Sequence, residues 1–266
     1  MTDQKSLIGS LAAWEANFAR GKLATGLRSA RHVGSYLSAL RAYADKLEAA
    51  GDSTVIEPFP QLADATATTS YDAHYVHQGP WVFRQLLEHK PPKHVDIGSS
   101  VMYLGFFSAI TPTEFVDIRP VEMGMPGLTA RAGSLLDLPF ETASQTSVSC
   151  LHVVEHVGLG RYGDPIDING TALACAELQR VLSPGGHLYL SLPIGRPRIN
   201  FNAHRVHTPA QVREYVQTLD LVGLDAVTDD GSYVSDCDPR DLTRQEYACG
   251  MFTFTKPQSP SARTDR

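Results

Sequence analysis

The chain has 266 residues, of which 42% are hydrophobic and 20% charged, and its formal net charge is −6. Enough apolar side chains are present for a sizeable core, which excludes a globally disordered chain. The length allows one large α/β domain with an appendage, or two small domains. A mildly acidic chain without a basic run argues against general nucleic-acid binding. Each apolar run is shorter than the roughly 20 residues that a membrane-spanning helix needs.

The N-terminal residues and the cysteines both favour a reducing compartment. The first 22 residues contain acids and no continuous apolar stretch, so they do not resemble a secretory signal. The four cysteines are widely spaced and form no C-x-x-C pair, which favours reduced, mostly buried thiols. They are Cys150, Cys175, Cys237 and Cys249. We therefore expect a cytoplasmic protein without a membrane span or a nucleic-acid partner.

Residues 1–51 predict a helical extension. Apolar residues recur there at spacings of three and four, which places them on one face of a helix over residues 5–50. The first stripe consists of Leu7, Leu11, Trp14 and Phe18. A second stripe runs from 33 to 47, and Gly51 is a suitable stop. The stripes lack a cluster of ionisable groups, so they predict a lid, an oligomer contact such as a homodimer, or simple packing on the core.

The segments around the core domain have less regular patterns. Residues 52–70 are rich in Pro, Thr, Ala and Asp, which predicts a linker. Residues 76–89 predict a helix that begins near Pro80, because proline suits the first turn of a helix. The core domain then extends over 71–256, and residues 257–266 predict a disordered tail.

Seven apolar runs within the core domain predict β-strands. They are 94–97, 114–118, 128–132, 147–154, 187–194, 221–227 and 249–255. Helical stretches fit between several of them, notably 170–182 and 209–219. Strands that alternate with helices predict an α/β fold with a Rossmann-like, seven-stranded, mostly parallel sheet covered by helices on both faces.

Two acidic strand ends predict a nucleoside site. VDIGSS (95–100) fits a first strand and its exit loop, and Asp117 follows Asp96 by 21 residues at the end of the next apolar run. Nucleotide-binding α/β folds often place an acid there to accept hydrogen bonds from ribose hydroxyls. Gly98 lets the backbone approach a ligand. A dinucleotide phosphate would require G-x-G-x-x-G before a helix, which the chain lacks.

Six strings between residues 71 and 227 are more specific. They are HYVHQGPWVF (74–83), VDIGS (95–99), VDIRP (116–120), EHVGLGRYGDPID (155–167), LQRVLSPGGHLYLSLPIG (178–195) and FNAHRVH (201–207). In this order they resemble the class I S-adenosylmethionine (SAM) dependent methyltransferases, and most of all an uncharacterised bacterial and nematode family with that fold. The resemblance implies methyl transfer, in some members within surface-polysaccharide biosynthesis. One departure is the loop after Asp96, which is G-S-S where the superfamily usually has G-x-G.

The resemblance also implies which residues bind SAM. They are Asp96, Gly98, Ser99, Asp117, Ile118, Leu136, Asp137 and His152. Asp117 is expected to bind the ribose, Asp137 the adenine amino group, and Ile118 and Leu136 to form apolar walls. Asp96 would either organise the loop amides or reach the methionine ammonium through a water.

Two polar loops predict the acceptor site. GRYGDPID (160–167) and NAHRVH (202–207) both follow strands of the predicted sheet, so both should emerge at its carboxyl edge. Their acids, arginines and histidines suit a polyhydroxylated small molecule or glycan, methylated at a hydroxyl oxygen. We expect acceptor contacts from Arg161, Tyr162, Asp167 and Arg205. A brace between Arg205 and Asp164 that only holds the loops together is the structural alternative.

A hydroxyl acceptor needs a general base, and histidine is the side chain that titrates near neutral pH without perturbation. The candidate bases are His152, His156, His204 and His207. We expect catalysis by His156, His204 and Asp164. We predict no set of metal ligands, with a metal held by Asp164, Asp167 and a histidine as the alternative.

Three other classes of protein compete with this prediction. His152, Glu155 and His156 match the H-x-x-E-H string of a zinc hydrolase, but that motif needs a helix and here it follows a strand. A non-catalytic binding module would explain the missing second glycine of the first loop. An NAD-dependent oxidoreductase is disfavoured because the phosphate loop is absent.

Overall fold

The computed structural model describes residues 33–52, 54–59, 62 and 67–258, and the chain divides into two units, 1–70 and 71–266. In the first unit, residues 33–49 are helical (α1), as their apolar spacing predicts. The predicted helix over 5–32 and the end of the predicted tail lie outside the described residues. Among the helices that the structure describes, none is both long and apolar enough to cross a membrane.

The second unit opens with helix α2, Ala73–His89. This helix begins two turns before Pro80, so the prediction that it starts near the proline is wrong. Its start is set by Asp72, whose side chain accepts hydrogen bonds from the backbone N–H groups of His74 (3.0 Å) and Tyr75 (3.3 Å). Such an N-cap satisfies amides that have no partner within the helix.

Ten strands and four further helices follow. The strands are β1 His94–Ile97, β2 Thr113–Asp117, β3 Leu128–Ala132, β4 Gln145–Leu151, β5 Leu182–Ile194, β6 Arg198–Asn200, β7 His204–Val206, β8 Asp220–Val227, β9 Tyr233–Val234 and β10 Ala248–Thr255. The helices are α3 Val101–Ile110, α4 Gly170–Val181, α5 Pro209–Tyr215 and α6 Pro239–Leu242. A single 3-10 turn, Val154–His156, follows β4 and occupies the end of the run predicted as strand.

The main sheet has the strand order β3-β2-β1-β4-β5-β10-β8-β9. Strands β3, β2, β1, β4 and β5 are parallel, and β10 is inserted antiparallel between β5 and β8. The sheet has one strand more than predicted because the two-residue β9 pairs with β8 at the edge. Strands β6 and β7 form a separate antiparallel hairpin.

Both faces of the sheet are buried. Successive residues of β5 enter different cores, with Leu188 and Leu190 in one and Tyr189 in the other. The first core is covered by α4 through Leu178, and the second by α2 through Trp81. Because parallel strands are buried on both faces, they read as nearly continuous apolar runs, and this is why their positions were predictable.

Candidate functional site

Two adjoining cavities, of about 860 and 360 Å³, open at the carboxyl edge of the parallel strands. The smaller cavity lies at the ends of β1 and β2. The larger cavity extends from the β1–α3 loop to the first turn of α2 and the segment between β8 and β10. The residues that line both are Gly98, His152, His156 and Tyr162. The two cavities therefore meet at these four residues.

Asp117 and Gly98 face each other in the smaller cavity. The Oδ1 of Asp117 accepts a hydrogen bond from the backbone N–H of Arg119 at 2.6 Å. Its Oδ2 is directed toward Gly98, where a Cβ would lie 3.6 Å from that oxygen and 3.0 Å from Val153 Cγ1. Gly98 also has a φ of +67°, which L side chains rarely adopt. Glycine thus keeps open a space beside a carboxylate oxygen that accepts no hydrogen bond from the described part of the chain.

The structure places the predicted apolar wall, but not the predicted adenine contact Asp137, in the smaller cavity. Ile118 and Leu136 both line it, with Ser134 beside them. Asp137 is exposed and does not line either cavity as the described residues form them. Its N–H closes a turn on the carbonyl of Ser134 at 3.0 Å, and this turn directs the carboxylate outward.

Asp96 lies beneath the loop between β1 and α3. It is fully buried, accepts a hydrogen bond from the hydroxyl of Ser149 and another from the backbone N–H of Ser99 at 3.2 Å. The ring of His94 in turn contacts the Ser149 hydroxyl at 2.9 Å. Burial raises the pKa of Asp96 to about 6, although these hydrogen bonds oppose the shift. Asp96 therefore organises the loop amides, one of the two roles expected for it.

The G-S-S loop adopts its conformation without a second glycine. Ser100, at the position of that glycine, has φ −60° and ψ 128°, an extended conformation open to any residue. Ser99 is buried, and its hydroxyl accepts a hydrogen bond from the N–H of Leu151 at 3.0 Å. This bond joins the loop to the end of β4. The departure from G-x-G is therefore accommodated by the backbone.

A buried carboxylate between two histidines lies where the cavities meet. The Nδ1 of His152 lies 2.7 Å from Glu155 Oε1, and the Nε2 of His156 lies 3.8 Å from the same oxygen. Burial disfavours charge on His152, but Cys249 and Glu155 outweigh it and raise the pKa of this histidine to about 10. Burial also opposes charge on Glu155, yet the adjacent His152 lowers the pKa of the carboxyl below its ordinary value. The pair is therefore an ion pair.

The rings of His156 and His204 differ in which nitrogen is free. His156 donates from Nδ1 to the carbonyl of Ala203 at 2.6 Å, which leaves Nε2 as the lone-pair nitrogen of the neutral ring. The Nε2 of His204 accepts a hydrogen bond from the side-chain amide of Asn200 at 2.8 Å. Burial lowers the pKa of His204. Of the two predicted bases, His156 alone keeps a nitrogen free to accept a proton in the neutral state.

Asp164 is engaged by its own loop. Its carboxylate accepts hydrogen bonds from the backbone N–H groups of Gly158 (2.6 Å), Gly160 (3.4 Å) and Tyr162 (3.2 Å). Burial raises the pKa of Asp164, but the bonds from Tyr162 and Gly158 outweigh it and lower the pKa. Asp164 still lines the smaller cavity, although its oxygens are committed to the backbone.

Arg205 also holds the two polar loops together, through backbone carbonyls and not through Asp164. Its Nη1 donates to the carbonyl of Val157 at 2.5 Å and its Nη2 to that of Asp167 at 2.8 Å. The side chain is buried and lines neither cavity among those described. Asp167 accepts from the N–H of Asn169 at 2.7 Å and is likewise outside both.

Tyr162 and Arg161 do reach the cavities. The Tyr162 ring lies under the guanidinium groups of Arg119, at 4.6 Å, and of Arg161, at 5.1 Å. It also makes an edge contact with His156. Arg161 donates to the carbonyl of Ala203 at 3.0 Å, the same carbonyl that orients His156. The GRYGD segment thus forms the partition between the cavities.

Several residues of the larger cavity were missing from the predicted site. His74 and Tyr75 both stack with His152, at centroid distances of 5.3 and 5.7 Å, and Tyr247 stacks with His74. Burial lowers the pKa of His74 to about 4, so this ring is neutral. The string HYVHQGPWVF marked the first two residues as part of a signature, but nothing in the sequence connected Tyr247 or the buried Glu155 with them.

The H-x-x-E-H string does not form a hydrolase metal site. It begins in the bend after β4 and ends in the 3-10 turn Val154–His156, and Glu155 lies between the two histidines. Within the described part of the chain, the side chains close enough to share a metal are His74, His152 and Cys249, without His156. The string therefore lacks the α-helix that would direct both histidines at one ion.

Comparison with solved structures identifies the architecture. The YcgJ protein from Bacillus subtilis superposes with a TM-score of 0.50 at 14% identity, over 69% of this chain and all of that chain. A candidate sarcosine dimethylglycine methyltransferase from Galdieria sulphuraria gives a TM-score of 0.52 at 14% identity, over 68% of this chain and 86% of that one. The fold is that of the class I SAM-dependent methyltransferases.

The methyltransferase fold explains the position of the cavities. The chain order of the parallel strands reverses between β1 and β4, and ligands of open α/β sheets bind at such a switch point. Residues 140–246 also match the family described as Caenorhabditis protein of unknown function, DUF268, which confirms the predicted resemblance. No curated protein sequence matches the chain.

Proposed function

We propose that the chain transfers a methyl group from SAM to a hydroxyl oxygen of a small polar acceptor. The observation that carries the proposal is the junction of a nucleoside-sized cavity with a larger polar one at Gly98, His152, His156 and Tyr162. Methyl transfer requires two ligands that meet end to end with water excluded. Two separate cavities with one shared wall suit this requirement.

The smaller cavity fits the nucleoside part of SAM. Asp117 Oδ2 is available to the ribose hydroxyls, and Ile118 and Leu136 supply an apolar slot for the base. The missing Cβ of Gly98 leaves room for the ligand to pass from the smaller cavity toward the larger one. Bound SAM would contribute a methyl group on a sulfonium, which an oxygen displaces in line.

The larger cavity fits a polyhydroxylated acceptor. Its polar lining includes four carboxylates and Arg161, and its walls carry the rings of His74, Tyr75 and Tyr247. The carboxylates are those of Asp72, Glu155, Asp229 and Glu246. Polar groups can bond hydroxyls while flat rings cover the C–H faces of a sugar, so we propose a carbohydrate or similar small molecule. Cytoplasmic location and homodimer formation stay predictions.

His156 is the base that we propose. Its Nδ1–H is held by the carbonyl of Ala203, so Nε2 can take the hydroxyl proton as the new carbon–oxygen bond forms. The Glu155 carboxylate, 3.8 Å from Nε2, can balance the charge that the ring acquires. His204 has its Nε2 occupied and is proposed to orient the acceptor. Asp164 is proposed to shape the partition loop instead of moving a proton.

Calorimetry and an acceptor screen test the proposal. We expect the chain to bind SAM and S-adenosylhomocysteine (SAH) and not NAD, and a panel of glycans and small hydroxyl compounds to include one that supports SAH release. Failure to bind SAM and SAH would refute the proposal. SAH binding without turnover on any acceptor would instead favour a non-catalytic binding module.

A further inference from the structure

We propose that His74, His152 and Cys249 form a binding site for a divalent transition metal, with Zn²⁺ as the preferred ion. One nitrogen or sulfur atom from each residue lies within 4.8 Å of the others. The three residues come from the start of α2, the end of β4 and the start of β10, so the fold alone brings them together. A modest contraction would bring all three atoms into the first coordination shell of one ion.

The donor set points to zinc. Two imidazoles and a thiolate are ligands that Zn²⁺ accepts, at about 2.0–2.1 Å for nitrogen and about 2.3 Å for sulfur. Carboxylate and carbonyl ligands, which magnesium and calcium prefer, are not part of the group. Three protein ligands leave one tetrahedral position open, as in catalytic zinc sites.

His152 provides the second, independent observation. It is 8% exposed, and its Nε2 is buried without a hydrogen-bond partner among the described residues. Its Nδ1 donates to Glu155 Oε1 at 2.7 Å, so a metal at Nε2 would replace the proton that this nitrogen carries in the ion pair. A carboxylate that binds one nitrogen of a histidine and so directs the other at a metal is a recurrent arrangement. Its backbone is held at φ +54°, an unusual value for a residue with a Cβ.

The other two ligands are held as firmly. His74 follows the N-cap Asp72, and its ring stacks between His152 and Tyr247. Cys249 is fully buried in the central antiparallel strand β10, opposite Pro193 of β5 and Val227 of β8. A thiol buried this deeply is inaccessible to oxidants, so a redox role does not explain its position. A bound metal would stabilise it as the thiolate.

The open position would face the larger cavity, because His74 and His152 both line it. Resting on the proposed function, the ion would bind the acceptor hydroxyl and, as a Lewis acid, ease the loss of its proton to His156. The acceptor proton moves to Nε2 of His156, the oxygen forms a bond to the SAM methyl carbon, and the C–S bond breaks with its electron pair on the sulfur of the departing SAH, so no further reactant is needed.

Metal binding can be measured without turnover. The full chain would be stripped with a chelator and titrated with Co²⁺ alone, since a cobalt–thiolate bond produces a charge-transfer band in the near ultraviolet. We expect one Co²⁺ per chain, competed by Zn²⁺. Cys249→Ser should abolish the band, and Cys150→Ser, a buried cysteine of the neighbouring core, should keep it.

Two further variants guard against a folding artefact. His74→Ala, at a partly exposed position, and Glu155→Gln, which removes the carboxylate behind His152, should each weaken Co²⁺ affinity by about 10- to 100-fold. Substoichiometric binding by the wild type, or a band that survives Cys249→Ser, would overturn the metal site. SAH binding by the metal-free chain is measured in parallel, so a failure of the proposed function is seen separately.

Discussion

The Nε2 of His156 lies 3.8 Å from the Oε1 of Glu155, and the same oxygen accepts the hydrogen bond of His152 at 2.7 Å. One fully buried carboxylate thus lies beside two histidine rings, of which His152 is buried and His156 partly exposed. Both rings line both cavities, but His152 is buried and bonded to the carboxylate through Nδ1, whereas the partly exposed His156 keeps its Nε2 without a hydrogen bond among the described residues.

Replacing His156 by Gln should lower kcat by about 100-fold or more, because the acceptor hydroxyl would lose its base. His204→Gln, the matched variant on the neighbouring loop, should lower kcat by less than about tenfold and act mainly on the KM for the acceptor. Both should bind SAH like the wild type. Equal losses of kcat in the two variants would contradict the assignment of His156, and a pH profile unchanged by His156→Gln would do the same.

Asp117→Ala should weaken SAH binding by roughly 30- to 150-fold, equivalent to about 2–3 kcal/mol, because a carboxylate contact to the ribose is lost. Asp137→Ala is the matched control, since that acid is exposed and outside the cavities. Calorimetry measures both affinities. If Asp137→Ala weakened binding as much as Asp117→Ala, the adenine contact predicted from the sequence would be right and our placement of the base wrong.

Asp164→Asn should loosen the partition loop, since the neutral amide is a weaker acceptor for the N–H groups of Gly158, Gly160 and Tyr162. We expect faster hydrogen exchange at residues 158–164, and weaker SAH binding because the loop lines the smaller cavity. Asp167→Asn, which weakens a bond to a single N–H, is the control. A variant with normal exchange and normal SAH affinity but no turnover would restore the catalytic role first expected for Asp164.

Asp96→Asn should change how stability depends on pH. Burial raises the pKa of this carboxyl from 3.8 to about 6. The folded state therefore holds the proton more tightly than the unfolded chain, so this group contributes less stability as pH rises from about 4 to about 6. About two pKa units correspond to about 3 kcal/mol as an upper figure.

The variant lacks this titration, so its stability relative to the wild type should increase between about pH 4 and about pH 7, by up to about 3 kcal/mol. Urea unfolding of both proteins at the two pH values measures the difference, and all other groups cancel in it. A relative stability that is constant with pH would mean that Asp96 is already ionised at the lower value.

The sequence by itself determined the sheet and the strand ends at which Asp96 and Asp117 lie. Buried parallel strands are apolar on both faces, so β1, β2 and β4 were visible as short runs bounded by polar loops. Asp117 was predictable because its place at a strand end, 21 residues after Asp96, follows from chain order alone. Both features depend on residues close together in the chain, so they can be predicted from the order of residue types.

Only the tertiary structure decided which polar side chains meet. His74 and Cys249 lie far from His152 in the chain and converge on it because residues of α2, the end of β4 and β10 share one core. Glu155, three residues after His152, meets it through the local 3-10 turn. A single turn directs the carboxylate of Asp137 outward, away from the cavities. Another turn places the carboxylate of Asp164 where it accepts hydrogen bonds from backbone amides. Side-chain direction and hydrogen-bond partners depend on such turns and on packing between distant segments, neither of which residue type and spacing specify.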